Sequence, residues 1–593
     1  MTGRTFVEKI FDADAGTIVF ARPDIILSHD NTSSIEKIFT KMGGDSLSDP
    51  NQLLLVLDHN APPTSSKLAN DYQQIREFAV RQKVSRFHDV GDGICHQLMS
   101  NYARPGMIVV GSDSHTCTAG AFNAFAAGID RTETAGLWKN SETWFRVPET
   151  IKISLTGKLM DGVYAKDIAL YIMGMIGSNG ADYMSIEYHG EGIKTLSVED
   201  RMTIANLASE MGAKNAVFPQ DAVLNDYFSE AFTGVWADEE ANYKRYIEIN
   251  LNDIVPLVAC PHQVDNIKTV DEAEGQPVDQ ALIGTCTNGR IEDLRVAANI
   301  LKGEKVKPGL QLLIIPASKG IYLQAIKEGL LEIFIAAGAN ILSPSCGPCL
   351  GTGQGIPADG STVISTANRN FLGRMGNKNA SIFLASPATV AKSAIKGEIA
   401  SPRNNKEYSG FPYKKKQTQT VEISSNEYRR FGNVWDYHDV DNLNTDQMFA
   451  GSLTYEISSS EPEKITPHLF KGFDKNFAEK VKKGDILICG ENFGCGSSRE
   501  HPSVGLVNVG IKAVIVKSAS RIFFRSALNQ GLLLLVFPEA VEAYQPGDSV
   551  IVDLNKNKII IALKDFLIPP LPAKLKEILE AGGLVKWIQK KDI

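Results

Sequence analysis

No stretch of this sequence reaches the roughly 18 uninterrupted apolar residues that a membrane-spanning helix needs, so no membrane anchor is expected. Cysteine is scarce: eight residues in 593 are too few for a disulfide scaffold. No secretory leader is recognisable, and Glu8, Asp12 and Asp14 stand early, where organellar presequences avoid acids. A reducing, cytoplasmic setting is therefore expected. Basic excess is lacking too. Lys and Arg number 61 against 69 Asp and Glu, so no nucleic-acid partner is expected. The single run Lys414-Lys415-Lys416 reads as a solvated linker patch.

What is present is a 43% hydrophobic, 22% charged chain, the composition of a globular protein with large cores. Up to about residue 400, short apolar runs such as Leu53-Leu54-Leu55-Val56-Leu57, Met107-Ile108-Val109-Val110 and Leu312-Leu313-Ile314-Ile315 alternate with helical stretches. That alternation predicts α/β layers with largely parallel sheets. From Ser401 to about Arg430 the chain turns polar, with Pro402, Gly410 and Pro412, as a linker does. A smaller α/β unit follows, over 431–593, with strand-like runs at Asp485–Ile488, Ala513–Val516 and Leu532–Val536. The fold class is thus α/β: a large body over 1–400 and a smaller C-terminal domain.

Three of the cysteines sit where chemistry is expected. Cys286 lies in Gly284-Thr285-Cys286-Thr287-Asn288-Gly289-Arg290, and Cys346 and Cys349 in Ser345-Cys346-Gly347-Pro348-Cys349-Leu350-Gly351, each after an apolar run. The Gly347-Pro348 turn lets both thiols of the pair face one centre. A redox pair, a zinc half-site and two packed thiols also fit a lone Cys-x-x-Cys. Iron–sulfur clusters usually take four cysteine thiolates. Three would leave one metal position open for substrate.

Other clusters pair acids with imidazoles or guanidinium groups. Asp58-His59 follows one strand, and a carboxylate beside an imidazole orients it and raises its pKa. Gly111-Ser112-Asp113-Ser114-His115-Thr116-Cys117-Thr118 packs an acid, hydroxyls and an imidazole into a turn, with a small-residue helix expected over Ala119–Gly128. His96 lies upstream, placed to pair with Asp113; a capped turn is the plainer reading of this segment. Cys117 reads as a small buried thiol rather than a metal ligand. Arg369 and Arg374 flank a glycine in Asn368-Arg369-Asn370-Phe371-Leu372-Gly373-Arg374, and guanidinium forks match carboxylates. In Gly494-Cys495-Gly496-Ser497-Ser498-Arg499-Glu500-His501 the serines stand where a helix should begin. There, backbone amides favour negative charge, though an N-cap serine needs no further role.

Taken in order along the chain, from about residue 22 to about 540, these motifs resemble the aconitase superfamily, which includes aconitase, homoaconitase and 3-isopropylmalate dehydratase. The resemblance is to the form with the swivelling domain fused at the C-terminus. It implies three α/β subdomains in the body and a [4Fe–4S] cluster on Cys286, Cys346 and Cys349. It implies Ser497 as the base for a carbon-bound proton, and Asp58-His59 assisting the leaving hydroxyl. His96 with Asp113, and His115 with Glu210, are the implied supporting pairs. His29, Ser114, Asn206, Ser498 and the arginines Arg369, Arg374 and Arg499 are the implied substrate-binding set. The implied reaction is dehydration and rehydration of a hydroxy di- or tricarboxylic acid, moving its hydroxyl by one carbon.

The sequence leans two ways on which acid. His29-Asp30-Asn31-Thr32 and Asp441 to Asp446 resemble homoaconitase, whereas Thr287-Asn288-Gly289-Arg290 and Gly494 to His501 resemble 3-isopropylmalate dehydratase. Tyr437 falls near where aconitase carries a carboxylate-binding Arg. The segment Ala450-Gly451-Ser452-Leu453-Thr454-Tyr455 has no Lys or Arg for a third carboxylate, which suits an apolar side arm. Action on citrate and isocitrate as an aconitate hydratase is the alternative within the superfamily. A cluster-free RNA-binding regulator is the alternative outside enzymes.

The ligand reading has a direct consequence. Cys286→Ser, Cys346→Ser and Cys349→Ser are each expected to abolish broad visible absorbance after anaerobic iron–sulfide reconstitution, while Cys117→Ser and Cys495→Ser keep it. Absorption spectra of the five variants check this, and the reverse pattern would overturn the assignment.

Overall fold

The computed structural model describes residues 3–403, 429–455, 457–496 and 499–591. Most of the expected linker, the lysine run 414–416 and the serine pair 497–498 lie outside the described residues. Among the described residues no helix is long and apolar enough to cross a membrane.

Three parallel or mostly parallel sheets build the body. The first runs in the order Arg86–His88, Leu53–Val56, Ile25–Ser28, Ile108–Gly111, Phe125–Gly128, all parallel. Its central strands are continuous apolar runs because helices cover both faces: Leu53, Leu54, Leu55 and Val56 are all essentially inaccessible. The second has four parallel strands, ordered Asn215–Val217, Ser185–His189, Thr150–Thr156, Arg245–Asn250. The third has seven strands, with Gln280–Gly284 between Thr362–Ser365 and Gln311–Ile315, and Asn340–Ile341 at one edge. In an open α/β sheet the carboxyl ends of strands are where loops gather function. Asp58, Asp113, Cys286, Cys346 and Arg369 each follow such an end.

The small-residue stretch departs from its expected helix. It forms a 3-10 helix over Ser114–Phe122, then the strand Phe125–Gly128. The strand half is claimed by parallel pairing with Ile108–Gly111, and the helical half packs so closely that a Cβ at Gly120 would stand 1.7 Å from the Ala216 carbonyl oxygen. The left-handed Asn123 then ends the helix and starts the strand.

The C-terminal part has a five-stranded sheet, ordered Arg430–Phe431, Val434–Tyr437, Ile486–Cys489, Ala513–Val516, Leu534–Val536, parallel beyond its first hairpin. A three-stranded antiparallel sheet follows over Val550–Asp553, Lys558–Ile561 and Lys564–Leu567. Two last helices, Ala573–Ala581 and Leu584–Lys591, return to the body: Leu575, Ile578, Leu584 and Ile588 share one core cluster with Phe39, Phe78 and Trp138.

The helix Arg521–Gln530 carries the polar seam between the two parts. Arg525 is fully buried and pairs with the equally buried Glu133, while its guanidinium also lies 3.7 Å from the Trp144 ring centre. Asn529 Nδ2 donates to Asp130 Oδ2 at 2.7 Å and Gln530 Nε2 to Thr132 Oγ1 at 2.9 Å. Arg521 donates to the Ser114 carbonyl at 2.7 Å, to Ser209 Oγ at 2.8 Å and to the Ala213 carbonyl. Removing one partner of a buried pair strands the other charge, so Glu133→Ala is expected to cost about 3 to 5 kcal/mol. Denaturant unfolding of this variant checks it, with the first transition moving to lower denaturant.

Candidate functional site

The site is assembled from loop ends of the first and third sheets. After Leu53–Val56 the chain turns through Asp58-His59-Asn60, and Asp30 holds that turn. Its Oδ1 accepts the backbone N–H groups of Asp58 and His59 at 3.0 and 3.1 Å, and its Oδ2 accepts that of Asn60 at 2.7 Å. The Tyr72 hydroxyl also donates to Asp30 Oδ2. Across the turn, Cys346 N–H donates to the Asp58 carbonyl at 3.2 Å, which ties the two sheets together at the cysteine loop.

Asp113 gathers three imidazoles. His96 Nε2 lies 2.8 Å from Asp113 Oδ1, His59 Nε2 lies 3.3 Å from Oδ2, and the backbone N–H of His115 donates to Oδ1 at 2.7 Å. Burial opposes the Asp113 charge, but its bonds from His115, His59 and His96 outweigh that and hold its pKa well below the usual carboxyl range. His59 Nδ1 in turn meets Asp58 Oδ1 at 2.7 Å, and Cys95 N–H donates to Asp58 Oδ2 at 2.7 Å. Burial works against a charged His59; an ionised Cys346 and the carboxylates of Asp58 and Asp113 push its pKa up. Cys346 is itself pushed up by burial and so is a neutral thiol, which leaves the two carboxylates as the cause. Asp58 sits below the usual range: burial resists its charge, and His59 overcomes it.

Glu210 forms the second acidic node. His115 Nε2 lies 2.8 Å from Glu210 Oε1, and Arg369 Nε donates to both its oxygens at 2.8 and 2.9 Å. Burial is again the largest influence and acts upward, but Arg369 and His115 bring the Glu210 pKa down to about 2. His29 stacks on His59 with ring centres 3.9 Å apart and planes 17° apart. Burial and the charge of His59 lower its pKa to about 4, so it is neutral, and its Nδ1 makes no hydrogen bond.

The cysteines of the two motifs are brought together: Asn368 lies within 3.5 Å of both Cys286 Sγ and Cys349 Sγ, and Cys346 stands three residues from Cys349. Donors are aimed at sulfur. Asn206 Nδ2 and Asn368 Nδ2 lie 3.4 and 3.3 Å from Cys286 Sγ, and Arg374 Nη2 lies 3.7 Å from Cys349 Sγ. Burial pushes the Cys286 thiol up to about 12. Cys286 and Cys346 thiols that burial keeps from ionising, in a set of three that faces amide and guanidinium donors, fit a metal that would displace their protons. An iron–sulfur group suits this donor set, since no imidazole points to these sulfurs among the hydrogen bonds described.

The remaining expected residues make the following contacts. Ser114 is buried, with its carbonyl held by Arg521 and Ser209. Arg499 donates to Asp446 Oδ1 at 2.9 Å and to the Phe449 carbonyl at 3.0 Å, both in the C-terminal part. Ser497 and Ser498 lie outside the described residues. The glycines before them, Gly494 and Gly496, both have positive φ, +74° and +106°, as a tight turn requires. Tyr437 is fully buried, and its hydroxyl donates to Asp474 at 2.9 Å, so its side chain belongs to the C-terminal core. Leu453 is half-buried against that same core, which commits part of its surface. Cys117 is buried, donating to the Ala205 carbonyl at 3.2 Å.

Sequence reading missed Asp30, Tyr72 and Arg521. Asp30 lay inside the quoted run His29-Asp30-Asn31-Thr32, where an acid reads as a turn former. Arg521 stands four residues before Arg525 in an amphipathic stretch, and that spacing on one helix face was the available signal.

Comparisons with known proteins agree with this arrangement. A model of the aconitase family (aconitate hydratase) matches residues 5–274 and 266–397, and one of the aconitase C-terminal domain matches residues 406–540. The chain is 44% identical over 414 residues to 3-isopropylmalate dehydratase large subunit 1 of Methanopyrus kandleri, covering 68% of this chain and 99% of that protein. It is 46% identical to 3-isopropylmalate dehydratase large subunit 2 of Archaeoglobus fulgidus, with coverage of 68% and 99%. Identity is 45% to a probable methanogen homoaconitase large subunit of Methanosarcina mazei, over 65% of this chain and 100% of that protein. With body and C-terminal domain both matched in family order, the chain belongs to the aconitase family.

Proposed function

We propose that this chain is a [4Fe–4S]-dependent hydro-lyase that dehydrates and rehydrates a substituted malate of the 3-isopropylmalate or homocitrate kind. The observation that carries the reading is the meeting of three thiols, buried Cys286 and Cys349 and half-buried Cys346, with amide donors on the Cys286 sulfur, beside the Asp58–His59–Asp113–His96 network. The relatives compared are named for 3-isopropylmalate and homoaconitase chemistry, which favours these acids over the aconitate hydratase alternative. Those relatives are large subunits that span about two thirds of the chain, and the remainder carries the C-terminal domain match. One polypeptide thus holds both units. The net charge of −8 does not favour the RNA-binding alternative.

Cys286, Cys346 and Cys349 hold the cluster in this reading. The cluster would supply Lewis acidity toward the hydroxyl that leaves. Everything else is done by side chains. Ser497 removes the proton on the carbon next to the hydroxyl-bearing carbon. The electron pair left there forms the carbon–carbon double bond as the hydroxyl departs. His59, charged between Asp58 and Asp113, donates the proton that lets the hydroxyl leave as water. His96 fixes Asp113, and Asp30 fixes the backbone on which His59 rides. His115 and Arg369 share Glu210, which holds Arg369 in place while it and Arg374 face the carboxylates common to all these acids. Ser114, Asn206, Ser498, Arg499 and the neutral His29 complete the substrate-binding set. Rehydration runs the same steps backward with water added in the other sense, and the hydroxyl moves by one carbon.

Two outcomes follow. Ser497→Ala should keep the visible chromophore and substrate binding while turnover falls at least ~10²-fold, the lower range for losing a positioned proton-transfer group. Near-normal turnover in that variant removes the serine from the mechanism. On a panel of 3-isopropylmalate, benzylmalate, homocitrate and citrate, followed by ultraviolet absorbance of the alkene, apolar-armed malates should give the highest kcat/KM. The reason is that 450–455 holds no cation for a third carboxylate. Preference for homocitrate or citrate over every apolar malate would show that a cation outside this segment binds the arm.

A further inference from the structure

Lys166 is a buried cation that the mechanism does not use. It is fully inaccessible and stands in the first turn of the helix Ala165–Ile176. That end of a helix disfavours positive charge, because its dipole attracts anions. The Lys166 Nζ donates to two carbonyls, Thr366 at 2.9 Å and Ala367 at 2.6 Å, and no carboxylate pairs with it among the described residues. The adjacent Asp167 spends its two oxygens on the N–H groups of Leu257 and Tyr164, each at 2.9 Å, and burial pushes its pKa up to about 7. A neutral amide would serve two carbonyls as well. A buried charge with only dipoles for partners is costly, so the ammonium calls for a negative group.

Beyond those carbonyls lies sulfur. Thr366 and Ala367 follow the strand Thr362–Ser365 and lead into Asn368. Asn368 Nδ2 lies 3.3 Å from Cys286 Sγ, and its Oδ1 accepts from Cys349 Sγ at 3.5 Å. The Thr366 carbonyl also accepts from Thr287 Oγ1 at 2.6 Å, and Thr287 directly follows Cys286. Lys166 thus backs the short piece of chain that touches two of the three sulfurs. Burial lowers its pKa to about 7, and negative charge on Cys286 and Cys349 is what most opposes that. Cys286, which burial pushes up to about 12, carries such charge only when a metal takes its proton. The coupling is reciprocal: thiolates that favour the ammonium are favoured by it equally.

We propose that Lys166 is the counter-charge of the metal-bound thiolates: an ammonium set behind the Thr366 and Ala367 carbonyls that offsets the negative charge Cys286 and Cys349 take on with a cluster. This rests on the cluster reading, and the test separates the two.

The full chain is reconstituted anaerobically with iron and sulfide as the parent, Lys166→Gln, Lys166→Met, Lys166→Arg and Lys139→Gln. Lys139 is the control: it donates to the Met42 carbonyl at 2.6 Å, a like bond with no thiol beside it. The first readout is loss of visible absorbance in excess EDTA. Removing a partner behind metal ligands typically costs about 10- to 100-fold in affinity, so Lys166→Gln and Lys166→Met should bleach about 10- to 100-fold faster than the parent. The second is the midpoint potential of the chromophore, from an anaerobic dye titration. One positive charge fewer should move it to more negative values in both neutral variants. Lys166→Arg, which keeps the charge, should stay nearer the parent in both readouts, and Lys139→Gln should match it. The third is the thermal midpoint of the metal-free chain. Replacing an uncompensated buried charge by an apolar side chain is often neutral or stabilising, so metal-free Lys166→Met should melt at or above the metal-free parent, yet below the parent once both are reconstituted.

Lys166→Gln that bleaches and titrates like the parent overturns the proposal, because a hydrogen-bond donor without charge would then suffice. Equal changes in Lys139→Gln overturn it too, as does a Lys166→Met chain that melts lower by the same amount with and without the cluster. If Lys166→Met does not fold, Lys166→Gln against Lys166→Arg decides: fast bleaching in Gln with slow bleaching in Arg supports the counter-charge, and the same rate in both rejects it. A stable parental chromophore that neither neutral variant alters rejects the role of Lys166 alone. A parent that takes up no chromophore rejects the cluster reading, and the counter-charge with it.

Discussion

The Asp113 carboxylate is the constraint on which the site depends. It sits just beyond the carboxyl end of Ile108–Gly111 and takes contacts from His59, His96 and the backbone of His115. The His59 loop and the helix Cys95–Leu98 reach it from outside, and the His115 contact closes its own turn, so one carboxylate fixes three pieces of backbone at once. A buried carboxylate without partners would take up a proton. Here the partners keep it charged, and the charge in turn keeps the imidazoles oriented. The same logic repeats at Glu210, between His115 and Arg369. His115 joins the two nodes, through its backbone to one and its ring to the other.

The nodes belong to the body, yet the serine segment belongs to the C-terminal part. The body and the C-terminal part are joined by a polar seam buried nearly as deeply as the apolar core. Arg521 reaches the Ser114 carbonyl, one residue from Asp113, and Ser209, one residue from Glu210. A single guanidinium thus touches the neighbours of both acidic nodes from across the seam. The last two helices add an apolar clamp on the same side, through Leu575, Leu584 and Ile588. The relatives named as large subunits match about two thirds of this chain, which also carries the match to the aconitase C-terminal domain.

Much of this could be read from residue order. The strand-then-cysteine pattern, the Asp58-His59 tandem and the Asp113 turn all lie within short windows, where spacing maps onto local geometry. The parallel sheets followed from runs such as Leu53–Leu57, which have no polar alternation. What stayed hidden depends on contacts across long separations. Asp30 accepts from backbone groups 28 to 30 residues away, and nothing about an acid in a turn announces that. Ala119–Gly128 reads as a helix by composition; its second half is a strand because Phe125–Gly128 pairs with Ile108–Gly111, far enough away in sequence that composition does not show it. Tyr437 and Leu453 looked like specificity residues by position, whereas Tyr437 belongs to the C-terminal core and Leu453 packs half-buried against it.

The central claim is that these loops move a hydroxyl by one carbon through an alkene. Nuclear magnetic resonance of the reconstituted chain with 3-isopropylmalate tests it most directly. The account predicts that the 2-hydroxy and 3-hydroxy isomers interconvert, with the alkene present between them, and that both directions stop together in Asp113→Ala, whose thiols are untouched. A chain with an intact visible chromophore that leaves the 3-isopropylmalate spectrum unchanged, and does the same with benzylmalate and homocitrate, would contradict it.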